Sequence, residues 1–341
     1  MGTPCAFWQI EAMENVRWGI LGTGSMAAIM SGELATMRAE RVELVAVASR
    51  NIQSAESFAR RYGIRKAWGS YAELVSDTGV DAVYVATPHS LHHDSMLACL
   101  RGTKAVLCEK PFTINAREAR TVIDEARRAG HFVMEAMWTR FLPAVSAVRD
   151  LLKSGAIGRV QMIVGGGAFI PDFGPEHYLL NKDLGGGVLL DAGVYLVSMA
   201  SMILGTPTRI QSSGIIGRFG VDEQDAILLE HADGSTALLY VSLHARRSPD
   251  LEILGESGRI SIAAPIFKPA KLTVWNKSGA ATVTEYPIAG TGYGYQIREV
   301  ADALRAGRRE SKIMPLDETL SIMQTMDTIR QQVGLRYAGE Q

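Results

Sequence analysis

The sequence predicts two domains: an α/β domain on a doubly wound parallel sheet, followed by an α+β domain on an open, mostly antiparallel sheet. From residue 16 to residue 137, short apolar runs alternate with amphipathic stretches, which is typical of βαβ units. Beyond residue 150, apolar segments follow one another through short turns such as "ADGS" and "ESG", which indicates antiparallel pairing. A chain of 341 residues is long enough for two domains, each with its own core.

The pattern also places the individual elements. The first domain should contain strands at "VRWGIL", "VELVAVAS", "DAVYVAT", "AVLCEK" and "HFVMEAM". A helix should run from Pro143 to Lys153, which puts the domain boundary near residues 138 to 150. The second domain should contain seven strands, from "RVQMIVGGGAF" to "KLTVWN", and helices over Val188–Leu204, Tyr295–Arg305 and Leu316–Val333. Met13 immediately precedes "ENVRWGILGTG", so residues 1–15 are interpreted as an N-terminal extension.

The composition favours a small-molecule partner over a nucleic acid or a membrane. Lys and Arg number 35 against 36 Asp and Glu, and the resulting net charge of -1 supplies no positive field for a polyanion. No segment has the roughly 18 uninterrupted apolar residues of a membrane span. Cys5, Cys99 and Cys108 lie far apart and form no CxxC pair, so neither a disulfide framework nor a cysteine zinc site is predicted. We expect a soluble, unexported protein of the reducing cytoplasm.

A phosphate-binding turn is predicted where the first strand runs into a helix. The segment reads GxGxxA and consists of Gly22, Thr23, Gly24, Ser25, Met26 and Ala27. The glycines permit a tight turn and a close backbone approach, and free N–H groups at the helix start can hold a pyrophosphate. Its position after the first strand therefore predicts a dinucleotide site, and the alternative is a turn that merely needs glycine.

The end of the second strand indicates which dinucleotide binds. An NAD site usually has Asp or Glu there to accept a hydrogen bond from the ribose 2′-hydroxyl, whereas this chain has Ser49 and Arg50. Arg50 can give a 2′-phosphate charge-assisted hydrogen bonds, and Ser49 can donate another. The sequence therefore predicts NADP rather than NAD, with an exposed loop arginine as the alternative.

Polar residues at the ends of the next two buried strands should meet in one crevice. Ligands collect at the carboxyl ends of parallel strands, which brings Thr87 and Pro88 close to Glu109 and Lys110. A lysine at the inner end of a buried strand is costly unless it is paired, and Glu109 should point the other way in an extended chain. Lys110 therefore needs another partner, such as a tyrosine or a substrate hydroxyl. A structural ion pair at the strand end is the alternative.

The remaining candidates have weaker signals. His89, His92 and His93 cluster, but no HExxH-type signature accompanies them, so no metal site is predicted. We expect His92 to line the cofactor site and the other two histidines to lie on the surface. Trp138 and Arg140 should wall the nicotinamide and the substrate. Further expectations concern Gly185–Gly187 as a close backbone approach or helix entry, and His177 and Tyr178 as substrate contacts.

Three passages carry a resemblance to a known family. They are the GxGxxA turn, "VYVATPHSLHHDSMLACLRGTKAVLCEKPFTIN" and "GGGVLLDAGVYLVSMA". Together they resemble the glucose-fructose oxidoreductase / inositol dehydrogenase / MocA family of two-domain NAD(P)-dependent oxidoreductases. Within it, "MEAMWTRFLP" and "LLDAGVYL" are most similar to the dimeric dihydrodiol dehydrogenases and the NADP-dependent xylose dehydrogenases. The resemblance implies a Rossmann domain over residues 16–137 and a substrate-binding and oligomerisation domain over residues 138–341, with a homodimer or homotetramer formed through the second sheet.

The chain departs from the family at one motif. Many relatives carry DxGxH, whereas this sequence has Asp191 and Tyr195 in "DAGVY". A spacing of four residues puts both side chains on one helix face. The resemblance implies that Lys110 and Tyr195 form the catalytic pair, with Asp191 orienting a substrate hydroxyl. A nearby ammonium should lower the pKa of the Tyr195 phenol.

These observations predict an NADP-dependent oxidoreductase acting on a secondary alcohol or hemiacetal carbon of a sugar, polyol or cyclic diol. Hydride would pass between that carbon and nicotinamide C4 while Tyr195 exchanges the hydroxyl proton. Two alternatives stay open from the sequence. One is a sensor or co-regulator that binds NAD(P) without turnover, and the other is a glycosidase of the same family that retains its nucleotide.

Overall fold

The first domain is a Rossmann fold with a six-stranded parallel sheet. The computed structural model describes residues 14–340, so most of the predicted extension, with Cys5, lies outside the described residues. The sheet order is β3-β2-β1-β4-β5-β6. The order reverses between β1 and β4, and ligands bind at the carboxyl ends of strands beside such a switch point. The strands are β1 (Val16–Leu21), β2 (Val42–Ala48), β3 (Lys66–Trp68), β4 (Ala82–Val85), β5 (Ala105–Cys108) and β6 (Val133–Glu135).

Five helices cover this sheet, and their capping residues explain where they begin and end. The α5 helix begins after Asn115, whose side chain accepts a hydrogen bond from the Glu118 N–H at 2.9 Å, and it ends at Gly130 with φ 72°. Its buried residues recur every three or four positions, which fits a helix resting on a sheet. The helices are α1 (Ser25–Thr36), α2 (Ile52–Tyr62), α3 (Tyr71–Ser76), α4 (His92–Arg101) and α5 (Ala116–Ala129).

The second domain is an eight-stranded open sheet. Its order is β14-β13-β12-β11-β7-β10-β9-β8, and among these strands β7 and β10 form the parallel pair. This confirms the predicted fold class of an α/β Rossmann domain with an α+β domain on a mostly antiparallel sheet. The strands are β7 (Val160–Ala168), β8 (Arg209–Ile216), β9 (Asp222–Glu230), β10 (Thr236–Ser242), β11 (Arg247–Gly255), β12 (Gly258–Ile262), β13 (Lys271–Trp275) and β14 (Ala281–Glu285).

Four longer helices accompany the second sheet: α6 (Pro143–Lys153), α7 (Val194–Leu204), α8 (Gly294–Arg305) and α9 (Leu316–Val333). The helix predicted over Val188–Leu204 differs at its start, because residues Leu189–Gly193 form a π-helical turn ahead of α7. Strands β3 and β14 were not predicted. The first has only three residues and the second is exposed throughout, so neither shows a burial pattern.

One apolar cluster joins the two domains. It runs from Trp18 in β1 through Val145 in α6 to Val197 in α7 and Ile253 in β11, all of which are buried. The segment Lys182–Leu204 is long and apolar enough to cross a membrane by length and composition alone, but 61% of its apolar window is buried inside the protein. This burial is that of a core helix.

Candidate active site

A cleft of about 390 Å³ opens at the carboxyl ends of β1, β2, β4 and β5. It is the crevice expected from the strand order. Most of the predicted cofactor residues lie in its wall, together with Tyr71, Tyr178 and Asp191. The predicted residues found there are Gly22, Thr23, Gly24, Ser25, Met26, Ser49, Arg50, Thr87, Pro88, His92, Glu109 and Lys110.

The GxGxxA turn has the shape of a phosphate cradle. Gly22 has φ 108°, and a Cβ atom there would lie 2.5 Å from the carbonyl oxygen of Ala86, so a larger residue does not fit. Gly24 precedes α1, whose first turn has no side-chain cap and no acidic residue. The N–H groups at the start of this helix are therefore available to an anion.

The end of β2 offers an available positive charge. Arg50 is exposed at the rim of the cleft, and within residues 14–340 its guanidinium has no hydrogen bond or ion pair. Tyr71 from α3 lines the same rim, and no local sequence signal singles it out. Burial raises the pKa of Tyr71, against the opposing effect of the positive charge of Arg50.

Thr87 provides a second indication that the cleft fits a dinucleotide. Its hydroxyl oxygen is buried, lies in the cleft wall and has no hydrogen-bond partner among the described residues. A buried hydroxyl without a partner is costly, and a polar ligand in the cleft would satisfy it. For bound NAD(P), the GxGxxA turn would hold the pyrophosphate, and Arg50 would lie at the adenosine ribose. The Thr87 hydroxyl would contact the nicotinamide half. Residues 14–340 contain no cluster of three or more His, Cys, Asp or Glu arranged to hold a metal ion.

Lys110 forms an ion pair with Asp191, so the contact present is the ion pair expected as the alternative to a tyrosine or a substrate hydroxyl. Its ammonium donates to the Asp191 carbonyl oxygen at 2.8 Å and to Asp191 Oδ1 at 3.0 Å. Burial lowers the pKa of Lys110, but the Asp191 carboxylate and the hydroxyls of Tyr195 and Tyr178 outweigh it, so the pKa lies above its usual value. An ammonium has three donors, so one N–H remains for a ligand. The Lys110–Pro111 peptide bond is cis.

Asp191 holds the centre of this cluster. Its Oδ1 also accepts a hydrogen bond from the Tyr178 hydroxyl at 2.9 Å. Burial alone would raise the pKa of Asp191, but Lys110, with smaller contributions from His89 and Tyr178, brings it below the usual value. Within the described chain Oδ2 accepts no hydrogen bond, so an ionised carboxylate oxygen is available to a substrate hydroxyl.

The Lys110 ammonium lies over the Tyr195 ring, and no hydrogen bond joins the two groups in the described structure. The Lys110 Nζ atom is 5.2 Å from the centre of the Tyr195 ring, and the Tyr195 hydroxyl accepts a hydrogen bond from Trp138 Nε1 at 3.1 Å. The Lys110 ammonium has the predicted lowering effect on the Tyr195 pKa, but it does not decide the net direction. Burial raises the pKa, and the nearby Lys110 only reduces the increase. The indole donor leaves the phenol proton free to be given to a ligand.

Glu109 forms no ion pair with Lys110 in the described structure, although both residues line the cofactor cleft. Its carboxyl group hydrogen-bonds to the Tyr84 hydroxyl and is 5% exposed. Burial raises the pKa of Glu109 to about 7, although the bond to Tyr84 favours the carboxylate. Glu109 is therefore a titratable group in the wall of the cofactor cleft.

His89 and His92 are buried side chains in the wall of the cleft. His92 is fully buried, and its two ring nitrogens lie 2.8 Å from the Pro111 carbonyl and 2.9 Å from the Thr87 carbonyl. The surface position predicted for His89 is wrong, because His89 is 7% exposed and its Nδ1 contacts the Gly185 carbonyl at 2.9 Å. Burial lowers the pKa of His89 to about 3 and that of His92 to about 4, so both rings are neutral.

The placement predicted for Arg140 is also wrong. Its guanidinium is buried away from the cleft and donates to Ser198 and to Glu318, the latter at 2.8 Å. The 3₁₀ turn Trp138–Phe141 advances about 120° per residue. Trp138 and Arg140 therefore point to different sides. Of the two, Trp138 lines a pocket, and this is the second pocket described next rather than the cofactor cleft.

A second pocket of about 520 Å³ adjoins the cofactor cleft and shares Met26, Lys110, Tyr178 and Asp191 with it. Its other walls are mainly apolar and aromatic. Trp138 and Tyr293 stack there with ring centres 4.4 Å apart. The sequence did not single out several of these wall residues, because they come from separate loops and carry no motif: Phe169, Ile266, Phe267 and Tyr293.

Comparisons with known proteins agree with this geometry. Residues 16–137 match the oxidoreductase family with an NAD-binding Rossmann fold, and residues 145–261 match the Gfo/Idh/MocA C-terminal domain. The chain is 34% identical over 332 residues to the trans-1,2-dihydrobenzene-1,2-diol dehydrogenase of Xenopus tropicalis, covering 94% of this chain and 99% of the relative. It is 32% identical to the human protein of the same name over 329 residues, covering 94% and 98%.

Solved structures of similar architecture include a 3-ketoreductase from Actinomadura kijaniata in complex with NADP and TDP-benzene. It has a TM-score of 0.84, 26% identity and coverage of 94% of this chain and 98% of that one. An aldose-aldose oxidoreductase from Caulobacter crescentus has the same fold, with a TM-score of 0.84, 23% identity and coverage of 94% and 98%. The family resemblance is thereby confirmed, and the relatives named above are dehydrogenases and reductases. The chain belongs to the Gfo/Idh/MocA family and is an NAD(P)-dependent oxidoreductase that acts on CH–OH groups.

Proposed function

We propose that the protein transfers hydride between NADP and a secondary alcohol carbon of a cyclic diol or a sugar-like substrate. The observation that carries the proposal is the position of Lys110, Asp191 and Tyr195. They lie where the cofactor cleft meets the second pocket, and Lys110 and Asp191 belong to both walls. A carbon bound at this junction would face the cofactor on one side and proton-transfer groups on the other.

The lining of the second pocket supports a substrate with a polar edge and an apolar body. The charged and hydroxyl groups gather at the junction, whereas Trp138, Phe169, Phe267 and Tyr293 supply aromatic walls elsewhere. A polyol with hydroxyls all round would leave several of them unpaired against these walls, which is costly. The pocket therefore favours a cyclic diol, a preference consistent with the dihydrobenzenediol dehydrogenases among its relatives.

Each polar residue has a separate task in this reaction. Bound NADP(H) supplies or accepts the hydride at nicotinamide C4. Tyr195 exchanges the proton of the reacting hydroxyl, since its own O–H is not needed by Trp138. Lys110 stabilises the developing alkoxide with its remaining N–H, and Asp191 accepts a hydrogen bond from the neighbouring hydroxyl while holding Lys110 in place.

A spectrophotometric screen tests the proposed activity. NADP and NAD are each offered with cyclic diols, aldoses, polyols and dicarbonyls, and nicotinamide absorbance is followed. We expect the highest kcat/KM with NADP and a cyclic vicinal diol. Activity on a glycoside without net absorbance change would instead support a nucleotide-retaining glycosidase, and cofactor binding without any turnover would support a sensor. No feature of the site favours either of these over a dehydrogenase.

The proposed preference for NADP over NAD can be tested by replacing Arg50. In Arg50→Asp, a carboxylate replaces the cation at the rim and repels a 2′-phosphate. We expect the Kd for NADP to rise about 100-fold or more and the Kd for NAD to change little, as measured by fluorescence titration. Arg61→Asp, in the exposed part of α2, is the matched control and should leave both Kd values unchanged. Equal weakening of both cofactors would contradict the NADP assignment.

We also propose that two copies of the chain associate through the outer face of the second sheet, in the cytoplasm. Neighbouring strands align apolar residues on this face, where Leu238 pairs with Val164 on one side and with Leu228 on the other. Leu238 is 43% exposed and Val164 is 37% exposed. A row of large apolar side chains across a sheet face is typical of a surface that a partner covers.

If the apolar row is the dimer interface, a charged residue within it should prevent association. Leu238→Glu should convert the dimer to a monomer, because dimer formation would remove a carboxylate from water without a partner. Light scattering measures the mass directly. Val283→Glu is the control, since Val283 is the most exposed large apolar residue among those described and lies on β14, far along the same sheet. A wild-type protein that is monomeric at micromolar concentration would refute the proposal.

A further inference from the structure

Two buried aspartates lie behind the π-helical turn that carries Asp191. Asp222 and Asp225 are both on β9 and both have no exposed surface. Three of their four carboxylate oxygens have no hydrogen-bond donor among the described residues: Asp222 Oδ1 and both oxygens of Asp225. The two carboxyl groups instead contact each other at hydrogen-bonding distance. Such an arrangement requires a physical explanation, because a buried carboxylate normally finds donors or a cation.

The fourth oxygen fixes the start of the turn. Asp222 Oδ2 accepts a hydrogen bond from the Leu189 N–H at 2.6 Å, and Leu189 is the first residue of the turn. The preceding Gly187 has φ 123°, and a Cβ there would lie 1.9 Å from Asp222 Oδ1. Asp222 therefore occupies the space that a side chain at position 187 would need. Asp191 lies two residues after Leu189 in the same turn. Its backbone carbonyl oxygen and its Oδ1 both accept hydrogen bonds from Lys110.

Neither aspartate forms an ion pair with a cation in the part of the chain that the structure describes. The positive charge of Arg330 on α9 favours the ionised form of Asp222, but its terminal nitrogens are bound to Asp327 and Glu340 at 2.6 to 2.9 Å, and its Nε has no hydrogen-bond partner among the described residues. The Tyr337 hydroxyl, the other titratable group facing the aspartates, donates to the Gly186 carbonyl at 2.5 Å. Two ionised carboxylates in contact and out of water would repel each other at high cost.

We propose that Asp222 and Asp225 share one proton, and that this acid pair positions the turn carrying Asp191. Asp225 holds the proton and donates it to Asp222, whose ionised carboxylate accepts the Leu189 N–H. One proton thus supplies a donor between the carboxyl groups and removes one of the two buried charges. The positioning part of this inference rests on the proposed catalytic function of Asp191, whereas the shared proton does not.

The shared proton has a consequence for stability. Burial, with the charge of Asp222 as the next cause, raises the pKa of Asp225 to about 9, whereas an unfolded aspartate titrates near 3.9. Between these values the folded protein holds a proton that the unfolded chain has released. The contribution to stability is therefore complete below about pH 4, falls as the pH rises, and is lost above about pH 9.

Asp225→Asn tests the shared proton without using activity. The amide donates permanently to Asp222 and does not titrate. Relative to this variant, the unfolding constant of the wild type should rise about tenfold per pH unit from pH 5 to pH 8 in urea titrations. The infrared spectrum of the wild type at pH 8 should contain one more carbonyl stretch of a buried protonated carboxyl group than that of the variant, since any signal of the buried Glu109 is common to both proteins. Parallel pH profiles together with an unchanged infrared spectrum would overturn the proposal.

A bound cation is the competing explanation, and the same experiment separates it. If a cation lay between the carboxylates, dialysis against a chelator in sodium-free and potassium-free buffer would lower the unfolding midpoint of the wild type. We expect no such change. Asp225→Asn would also lose the cation and be destabilised at every pH, rather than gain stability relative to the wild type as the pH rises.

Asp222→Ala tests positioning. It removes the acceptor of the Leu189 N–H, so the turn should shift and Asp191 should hold Lys110 less well. We expect about a tenfold decrease in kcat with an unchanged Kd for NADP, and Asp225→Asn should retain wild-type kcat at neutral pH. Because alanine also leaves a cavity, Asp222→Asn serves as the second variant: its amide oxygen can still accept from Leu189, so kcat should recover. Equal kcat in all three variants would refute the positioning role while leaving the shared proton to the stability test.

Discussion

Lys110→Met should lose most of its turnover while it still binds NADP. The ammonium supplies the positive charge at the junction of the two pockets, and its remaining N–H is the donor for a developing alkoxide. Removing an electrostatic donor of this kind costs about 100- to 1,000-fold in kcat. Stopped-flow measurement of NADPH formation with saturating diol gives the rate, and fluorescence titration gives the Kd for NADP.

A second effect of this substitution follows from the ion pair. Without Lys110, Asp191 loses its strongest stabilising charge, so its pKa should rise above the usual range and its carboxyl group should protonate more readily. Residual activity should therefore increase with pH as Asp191 ionises. Lys66→Met removes an exposed lysine paired with Asp77 and is the control, with wild-type kcat expected. A fully active Lys110→Met protein would refute the proposed mechanism.

Tyr195→Phe is the other change with a large expected effect. It removes the group that exchanges the hydroxyl proton, and general acid–base catalysis of this kind contributes about 100- to 10,000-fold. The ring remains, so packing against Phe267 is kept, and only the hydrogen bond from Trp138 is lost. We expect a Tm close to that of the wild type and a kcat lower by at least about 100-fold.

The pH dependence distinguishes this role from a structural one. Burial raises the pKa of Tyr195, so its conjugate base becomes populated only at high pH. Alcohol oxidation needs a base, and the wild-type rate of oxidation should therefore increase with pH across the neutral and alkaline range. The profile of Tyr195→Phe should be flatter. Tyr62→Phe, on the outer helix α2, is the control and should keep the wild-type profile. An unaltered slope in Tyr195→Phe would assign the proton transfer to another group.

Local motifs predicted much of the cofactor cleft. The GxGxxA turn, the end of β2 and the ends of β4 and β5 converge because parallel strands bring their carboxyl ends to one edge of the sheet. Asp191 and Tyr195 were also expected on one helical face, and both line the second pocket. In each case a short segment contains the backbone geometry that positions its own side chains.

The errors occurred where a side chain's environment comes from distant segments. His89 is buried because Gly185, 96 residues later, packs against it, and Arg140 turns inward to Ser198 and Glu318. The partner of Lys110 is likewise 81 residues away. The sequence could not show whether Asp191 or Tyr195 contacts the ammonium. The sign of the Tyr195 pKa shift depends on burial, which a motif does not report.

Local sequence patterns were sufficient to predict the two-domain architecture, the glycine-rich turn and the residue types that meet at the switch point. These follow from periodicity, glycine geometry and strand order, all of which act over short stretches of chain. Three features became apparent in the folded protein alone: the pairing of Asp191 with Lys110, the aromatic walls of the second pocket and the pair of buried aspartates Asp222 and Asp225. Distances, burial and the balance of charges depend on segments far apart in the chain, so only the folded protein fixes them.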